Sequence, residues 1–327
     1  MHVKRFFRNL ALIAVTAALT LAIAGPAAAQ EAVPDKPLKF IVPFGTGGGT
    51  DLTARLVAPE LQKELGVPVQ VINKPGGGGW VAWHGMANWK PEDWMIGYLN
   101  LPHVFAYLNP KLKRPETLDS WNFLMLHTVD PGLIVVQSDD ERFPDLNAFL
   151  EYAKENRVVV AAHGVGGDDF IGVKQMEMKV PGIQVKMVHN DSDAKSISQL
   201  VGGHVDAIFG NVAAYTPQIL EGKFRPLCVN WMERVKFLPS VPTFEEAAGV
   251  KVVHYAGRTI VAPKGMPEER EKAVVDAFKK AVEHPEYKLK MMNSYLSIDL
   301  MIGEKLQDFL QESKNMVQDI AYWEDAE

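Results

Sequence analysis

The sequence predicts an α/β fold built as two units with a ligand cleft between them. Three observations lead there. A short apolar strand, Leu38 to Val42, runs into a glycine-rich turn and then a helix start. Strand and helix signals alternate after it, which is the signature of a parallel sheet with right-handed crossovers. The middle of the chain repeats that alternation with a glycine turn of its own, so two such turns face one another across a cleft able to close on a solute.

The first strand is apolar, partly β-branched and stopped by Pro43. In Phe44-Gly45-Thr46-Gly47-Gly48-Gly49-Thr50-Asp51 the glycines remove the side chains that would hold backbone N–H groups away from a ligand. Thr50 or Asp51 is placed to cap the helix that follows, which runs from Asp51 to Leu65 with Leu52, Leu56, Val57, Leu61 and Leu65 near a helical period. Pro59 is expected to kink or break it, and Gly66 ends it. A helix start with unpaired N–H groups and a positive dipole end suits an anion. Two sharper motifs fail: the phosphate loop needs a lysine that is absent here, and the dinucleotide fingerprint meets Thr50 at its third glycine.

Further along, Val69 to Ile72 reads as a strand, followed by the turn Asn73-Lys74-Pro75-Gly76-Gly77-Gly78-Gly79, and Met95 to Leu99 as a third strand. Leu133–Gln137, Val158–Ala162, Val185–Val188 and Val205–Phe209 are the strands of the second unit. Asp145–Glu155, Asp168–Met178 and Ala194–Val201 are its helices, and Gly164-Val165-Gly166-Gly167 its glycine turn. Two helical stripes close the chain, Glu268–Val282 and one from Leu306 to Ile320, both expected to pack on the first unit. Ligands in such sheets sit beyond the carboxyl ends of the strands, where the glycine turns fall.

The N-terminus reads as a secretory signal: a basic region with Lys4, Arg5 and Arg8, an apolar run from Leu10 to Ala24, and a small-residue cleavage site ending at Ala29. Cleavage there leaves about 300 residues, two domains by the usual prior. The single cysteine, Cys228, excludes an intrachain disulfide and reads as a small buried hydrophobe. An exported chain without disulfides suits a bacterial periplasm. A net charge of −6 before processing argues against a nucleic-acid partner. There is no nucleophile elbow, and no acid–histidine spacing that demands catalysis. His163, His189, Asp168, Asp169 and Asp191 could meet around a metal, but Asp168 and Asp169 serve equally as caps, so neither metal nor cofactor is expected. Trp80, Trp83 and His84 read as core or interface residues, and His103, just past the third strand, as a pocket residue.

These motifs stand at the spacing of a known family. The chain resembles the extracytoplasmic solute receptors of tripartite tricarboxylate transporters, the TctC or Bug family, over nearly all of its mature length. Pro43-Phe44, Gly47-Gly48, Asp51 and Arg55 match that family's first loop, and Asn73-Lys74-Pro75-Gly76 with Gly79 its second. Pro91, Gly97-Tyr98 and Asn109-Pro110 follow in order, then Gly202-Gly203-His204-Val205-Asp206. The most specific segments are Gly222-Lys223-Phe224-Arg225-Pro226-Leu227 and Arg234 with Leu238-Pro239-Ser240-Val241-Pro242-Thr243, completed by Glu246, Gly249, Ala262-Pro263 and Pro267.

The resemblance implies a type II periplasmic binding protein fold, two α/β domains with a hinge. The chain would cross between them near Pro131 and His254: residues 30–131 and 254–327 form domain 1 and 132–253 domain 2. It implies a monomeric receptor, not an enzyme, that binds a small organic acid between two loops and hands it to membrane transporter subunits. A sensor role toward a signalling kinase, or an amino acid or amide ligand, are the alternatives. Carried over, the ligand residues are Phe44 to Asp51 in the first loop, Asn73, Pro75 and Gly76 beside it, and Gly164, Gly166, Gly167, Asp168, Asp169 and Phe170 in the facing loop. His103 and Asp191 join them from the reading of the residues themselves. The facing loop departs from the family pattern: Gly167 stands where a hydroxyl is usual and Phe170 where a histidine is, and Asp168 and Asp169 are added. Like charges at close range then predict a ligand with one acid end and a neutral or cationic other end, or a bridging cation, rather than a plain di- or tricarboxylate.

Overall fold

A computed structural model describes residues 32–190 and 192–324. The expected secretory signal and Asp191 lie outside the described residues. The first layer of the fold is made by β1 (Leu38–Val42), α1 (Gly49–Leu65), β2 (Val69–Asn73), α2 (Trp80–Ala87) and β3 (Met95–Leu101). Strand β1 pairs in parallel with both β2 and β3, as the alternation predicts. Helix α1 begins two residues earlier than expected, because Gly48 keeps an extended backbone and acts as N-cap without a side-chain bond. Neither Thr50 nor Asp51 caps it; both lie inside its first turn. The helix also runs unbroken for 17 residues through Pro59. That proline is exposed, so the carbonyl it leaves unpaired can turn to water.

The element that joins the molecule is β4 (Asn122–Gln137), 16 residues long. The apolar pattern predicts only its end, Leu133–Gln137, as a strand. Its first half carries Asn122, His127, Thr128 and Asp130, which obscure the pattern. Along that half it pairs antiparallel with β9 (Tyr255–Ala262), ending at Pro131 opposite Tyr255. From Gly132 onward it pairs instead with β7 (Ala207–Asn211) and β8 (Phe224–Asn230). Beyond β7 lie β5 (Arg157–His163) and β6 (Gln184–Asn190), parallel to one another. The sheet order is β2-β1-β3-β9-β4-β7-β5-β6, with β8 beside β4. Two α/β halves therefore share one strand.

The second half carries α3 (Leu146–Glu155), α4 (Asp168–Lys179), α5 (Asp193–Val201), α6 (Val212–Leu220) and α7 (Phe244–Ala248). Asp145 caps α3 through the Ala148 N–H, 2.9 Å away. The last helices are α8 (Glu268–Ala281), α9 (Pro285–Asn293) and α10 (Glu304–Ile320). Helices α8 and α9 cover the first half, burying Val274, Phe278, Tyr287 and Met291 with α1 over Phe40 and Tyr98. Helix α10 departs from expectation. Its stripe of Leu306, Phe309, Leu310 and Val317 packs in one cluster with Phe170 and Ile171 of α4 and with Tyr255, so it straddles the junction rather than resting on the first half alone.

Two residues anticipated as core are there: Trp83 donates its indole N–H to the Tyr98 carbonyl (3.1 Å), and Trp80 stacks edge-on against it. His84, by contrast, is exposed and pairs with Glu116. Cys228 is fully buried and free, its thiol pushed well up by burial.

Candidate functional site

The first loop is held by one carboxylate. Asp51, almost fully buried, accepts from the Gly47 N–H (2.9 Å), from Asn73 Nδ2 (2.8 Å) and from Arg55 Nε (2.9 Å). Burial works against its charge, but Arg55, Gly47 and Asn73 outweigh that and hold the carboxyl below its usual range. Asn73 completes the clasp, donating to the Phe44 carbonyl (3.0 Å) and accepting from Arg55 Nη2 (2.9 Å). Asp51 and Asn73 are thus spent on positioning. What the loop presents is backbone: Gly45 to Gly49 are exposed, and α1 starts with no side chain over its first N–H groups.

The facing loop mirrors this. Gly166 takes φ +81, the left-handed turn that brings the chain round to α4. Gly167 is the N-cap of α4, again without a side-chain cap. His103 lies against it; a Cβ on Gly167 would stand 3.3 Å from His103 Nε2. The same ring packs edge-on to Phe44 (5.8 Å between centroids) and has its Nε2 3.5 Å from Asp168 Oδ1. His103 therefore joins the two loops, touching Phe44 of the first and the uncapped start of α4 in the second. Burial lowers its pKa although Asp168 pulls the other way.

Asp168 and Asp169 are buried, at 3% and 1% exposure, and face the interior rather than solvent. Asp168 accepts from Asn211 Nδ2 (2.8 Å). Burial would raise its pKa, but His103, His254, His163 and the Asn211 bond outweigh it and lower it. Asp169 pairs with His163 Nδ1 (2.6 Å) and accepts from the His163 N–H (3.2 Å). Burial opposes charge on His163, yet Asp169, Asp193 and Asp168 prevail and raise it to about 10. The aspartates are therefore part of an acid–histidine network.

The other expected residues are placed as follows. Thr46 reaches Asn73 (3.4 Å), and Thr50 accepts from Asn100 Nδ2 (3.0 Å). Pro75 and Gly76 are exposed on the next turn, where Gly76 folds onto Val81. Gly164 is exposed at the tip of the facing loop. Phe170 turns from the polar network to an aromatic cluster, 5.0 Å from Tyr322.

Sequence reasoning missed the charges on the floor. Arg258 of β9 is 3% exposed, with its Nη2 3.6 Å from Asp130 Oδ2. Asp130 also accepts from the Ala213 N–H (3.1 Å), and burial raises its pKa to about 6. The available signal was a lone arginine in the run Tyr255–Ala262, every residue of which is buried.

The fold has counterparts among solved structures. A TctC solute binding protein from Polaromonas superposes with a TM-score of 0.71 at 26% identity, covering 89% of this chain and 97% of that one. The fold is that of the periplasmic binding proteins. The profile of the tripartite tricarboxylate transporter family receptor, TctC, matches residues 53–322, and the chain belongs to that family. Among its relatives, the "UPF0065 protein in gbd 5'region" of Cupriavidus necator is 28% identical over 316 residues, 96% of this chain and 95% of that protein. Protein BugT of Bordetella pertussis is 28% identical over 289 residues, 83% of this chain and 87% of that protein.

Proposed function

We propose that the protein is a periplasmic receptor that binds a small organic acid in the cleft between Gly47–Thr50 and Gly164–Asp168, then delivers it to a tripartite tricarboxylate-type membrane transporter. The observation that carries this reading is a pair of glycine-flanked, uncapped helix N-termini, α1 and α4, whose loops His103 joins through Phe44 and Gly167. Each offers unpaired N–H groups and the positive end of a helix dipole to a carboxylate. Family membership supports the role. In this reading the leader is removed after Ala29. Residues 30–131 with 254–327 and residues 132–253 act as two domains that close as a monomer, bending where β4 changes partners.

The test is equilibrium dialysis and thermal shift of the mature protein against monoacids, dicarboxylates, tricarboxylates and amino acids. Saturable one-to-one binding with no consumption of ligand is the expected result. Turnover of any member, or indifference to all of them, would reject the assignment.

A further inference from the structure

Arg258 is the most unusual side chain beside the first loop. Its guanidinium is buried, and neither Nε nor Nη1 has a hydrogen-bond partner among the described residues. A Cβ on Gly49 would stand 2.6 Å from its Nη2, so the cation sits directly beneath the first residue of α1. A fixed positive charge against the positive end of a helix is repulsive. Asp130, at 3.6 Å from Nη2, is beyond a proper hydrogen bond. Two sources of positive potential thus converge with donors to spare, which fits a carboxylate held by the planar fork and the α1 amides together.

The opposite requirement stands beside it. Asn211 Nδ2 donates to the backbone carbonyl of Asp130 (3.2 Å) and to Asp168 Oδ2 (2.8 Å), tying Asp168 to β4, and the two carboxylates lie near enough for each charge to be felt by the other. Among the described residues, the nearest ion-pair partner of Asp168 is the His103 ring at 3.5 Å, whose charge burial disfavours. Asn100, opposite Arg258 in the β3–β9 register, keeps a buried Oδ1 without a donor. Acceptors therefore gather next to the spare donors.

We infer that Arg258 anchors the carboxylate of the solute and that Asp130 and Asp168 hold a cationic amine on the same molecule, so that the cleft selects amino-acid-like solutes over plain acids. The inference rests on the organic-acid reading above and names its substrate class. An extra carboxylate in place of the amine would meet Asp168 without a compensating cation.

The experiment measures dissociation constants of the mature protein for matched pairs: L-alanine and propionate, L-leucine and 4-methylpentanoate, 4-aminobutyrate and butyrate, with succinate and citrate alongside. At least one pair should favour the amine-bearing member tenfold or more. Asp168→Asn should bring that ratio close to one. Arg258→Gln should weaken every member a hundredfold, and Arg258→Lys, which keeps charge but not the fork, should recover part of the loss. Thermal midpoints without ligand separate binding loss from unfolding, and Asp168→Asn carries the test if Arg258→Gln does not fold. Tightest binding of succinate or citrate, with no pair favouring the amine, overturns this inference and leaves the organic-acid reading standing. So does undiminished binding by Arg258→Gln. No binding by any member sinks both.

Discussion

Arg258 Nη2 lies 3.6 Å from Asp130 Oδ2, and the two side chains come from the paired strands that join the halves of the molecule. Both are buried, so the pair exchanges hydration for a long contact. Its value therefore lies in balancing charge on the cleft floor, not in holding the fold tightly.

Removing one partner should nonetheless be costly. Asp130→Ala leaves a buried guanidinium facing a helix N-terminus and deprives the Ala213 N–H of its acceptor. Breaking a buried pair costs about 3–5 kcal/mol. The long contact points to the lower figure, so urea unfolding at neutral pH should show a loss of about 3 kcal/mol. A bound carboxylate would then stabilise the variant more than the wild type. A variant as stable as the wild type would mean that Arg258 is satisfied by other means.

Gly48→Val probes the ligand side of the first loop without disturbing the protein. Gly48 has φ −74 and ψ 164, which valine adopts readily. The nearest atom to an added Cβ is the Gly45 carbonyl oxygen at 3.7 Å, an ordinary contact. Stability should change by no more than about 0.5 kcal/mol. Affinity should fall at least tenfold, because the side chain would cover the N–H groups of α1. Unchanged affinity in isothermal titration would remove this loop from the binding surface.

The loops are legible in the sequence because glycine after a strand and before a helical period has few uses, and the apolar periods of both units are clean. The charged floor is not legible. Arg258, Asp130, Asn100 and Asn211 lie far apart in the chain and meet only when β3, β9, β4 and the start of α6 come side by side. The roles of Asp51 and Asp169 are hidden for a similar reason. Each pairs within a few residues, yet burial decides whether the carboxylate serves a ligand or the fold. Helix α10 illustrates the remaining gap: its stripe shows that it packs, but not on what.

His163 predicts an alkaline loss of stability. Its folded pKa of about 10 lies above the ordinary 6.5, because Asp169, Asp193 and Asp168 face the ring from α4 and α5 and overcome its burial. A raised cationic pKa contributes stability that is complete below about 6.5 and lost as the pH climbs through about 10. Each unit is worth about 1.4 kcal/mol, so the total is of the order of several kcal/mol. Thermal midpoints should therefore decline between pH 7 and pH 10. His163→Gln should be less stable at pH 7 and nearly flat over that range. A parallel decline in the variant would assign the effect to other groups.

Gly172→Ala sets helix propensity against packing. In an exposed helix the change from glycine to alanine gains about 1 kcal/mol. Here a methyl group would overlap the ring of His254, which is fully buried. The ring cannot retreat, because Gly132 of β4 lies close on another side and would itself clash if it carried a Cβ. Its edges are tied as well: Asn230 Nδ2 donates to Nδ1 (3.0 Å), and Nε2 donates to the Gly210 carbonyl (3.2 Å). Overpacking of a core typically costs about 1–3 kcal/mol, enough to outweigh the propensity gain. The single variant should lose about 1–2 kcal/mol in urea unfolding. With His254→Ala the obstacle is gone and the methyl partly fills the space left behind, so adding Gly172→Ala to that background should stabilise instead. The change of sign between backgrounds is the measurement that matters, since a double-mutant cycle isolates the contact from the helix effect. It also bears on how the halves communicate. His254 touches β4 and α4 at the point where the chain passes between the two halves, and its Nε2 lies 3.7 Å from Asp169 Oδ1 in the facing loop. A displaced ring should therefore weaken ligand binding as well as stability. A Gly172→Ala variant that is neutral or more stable in the wild-type background would show that His254 has room to move, and would remove it as a rigid link between the crossing strands and the site.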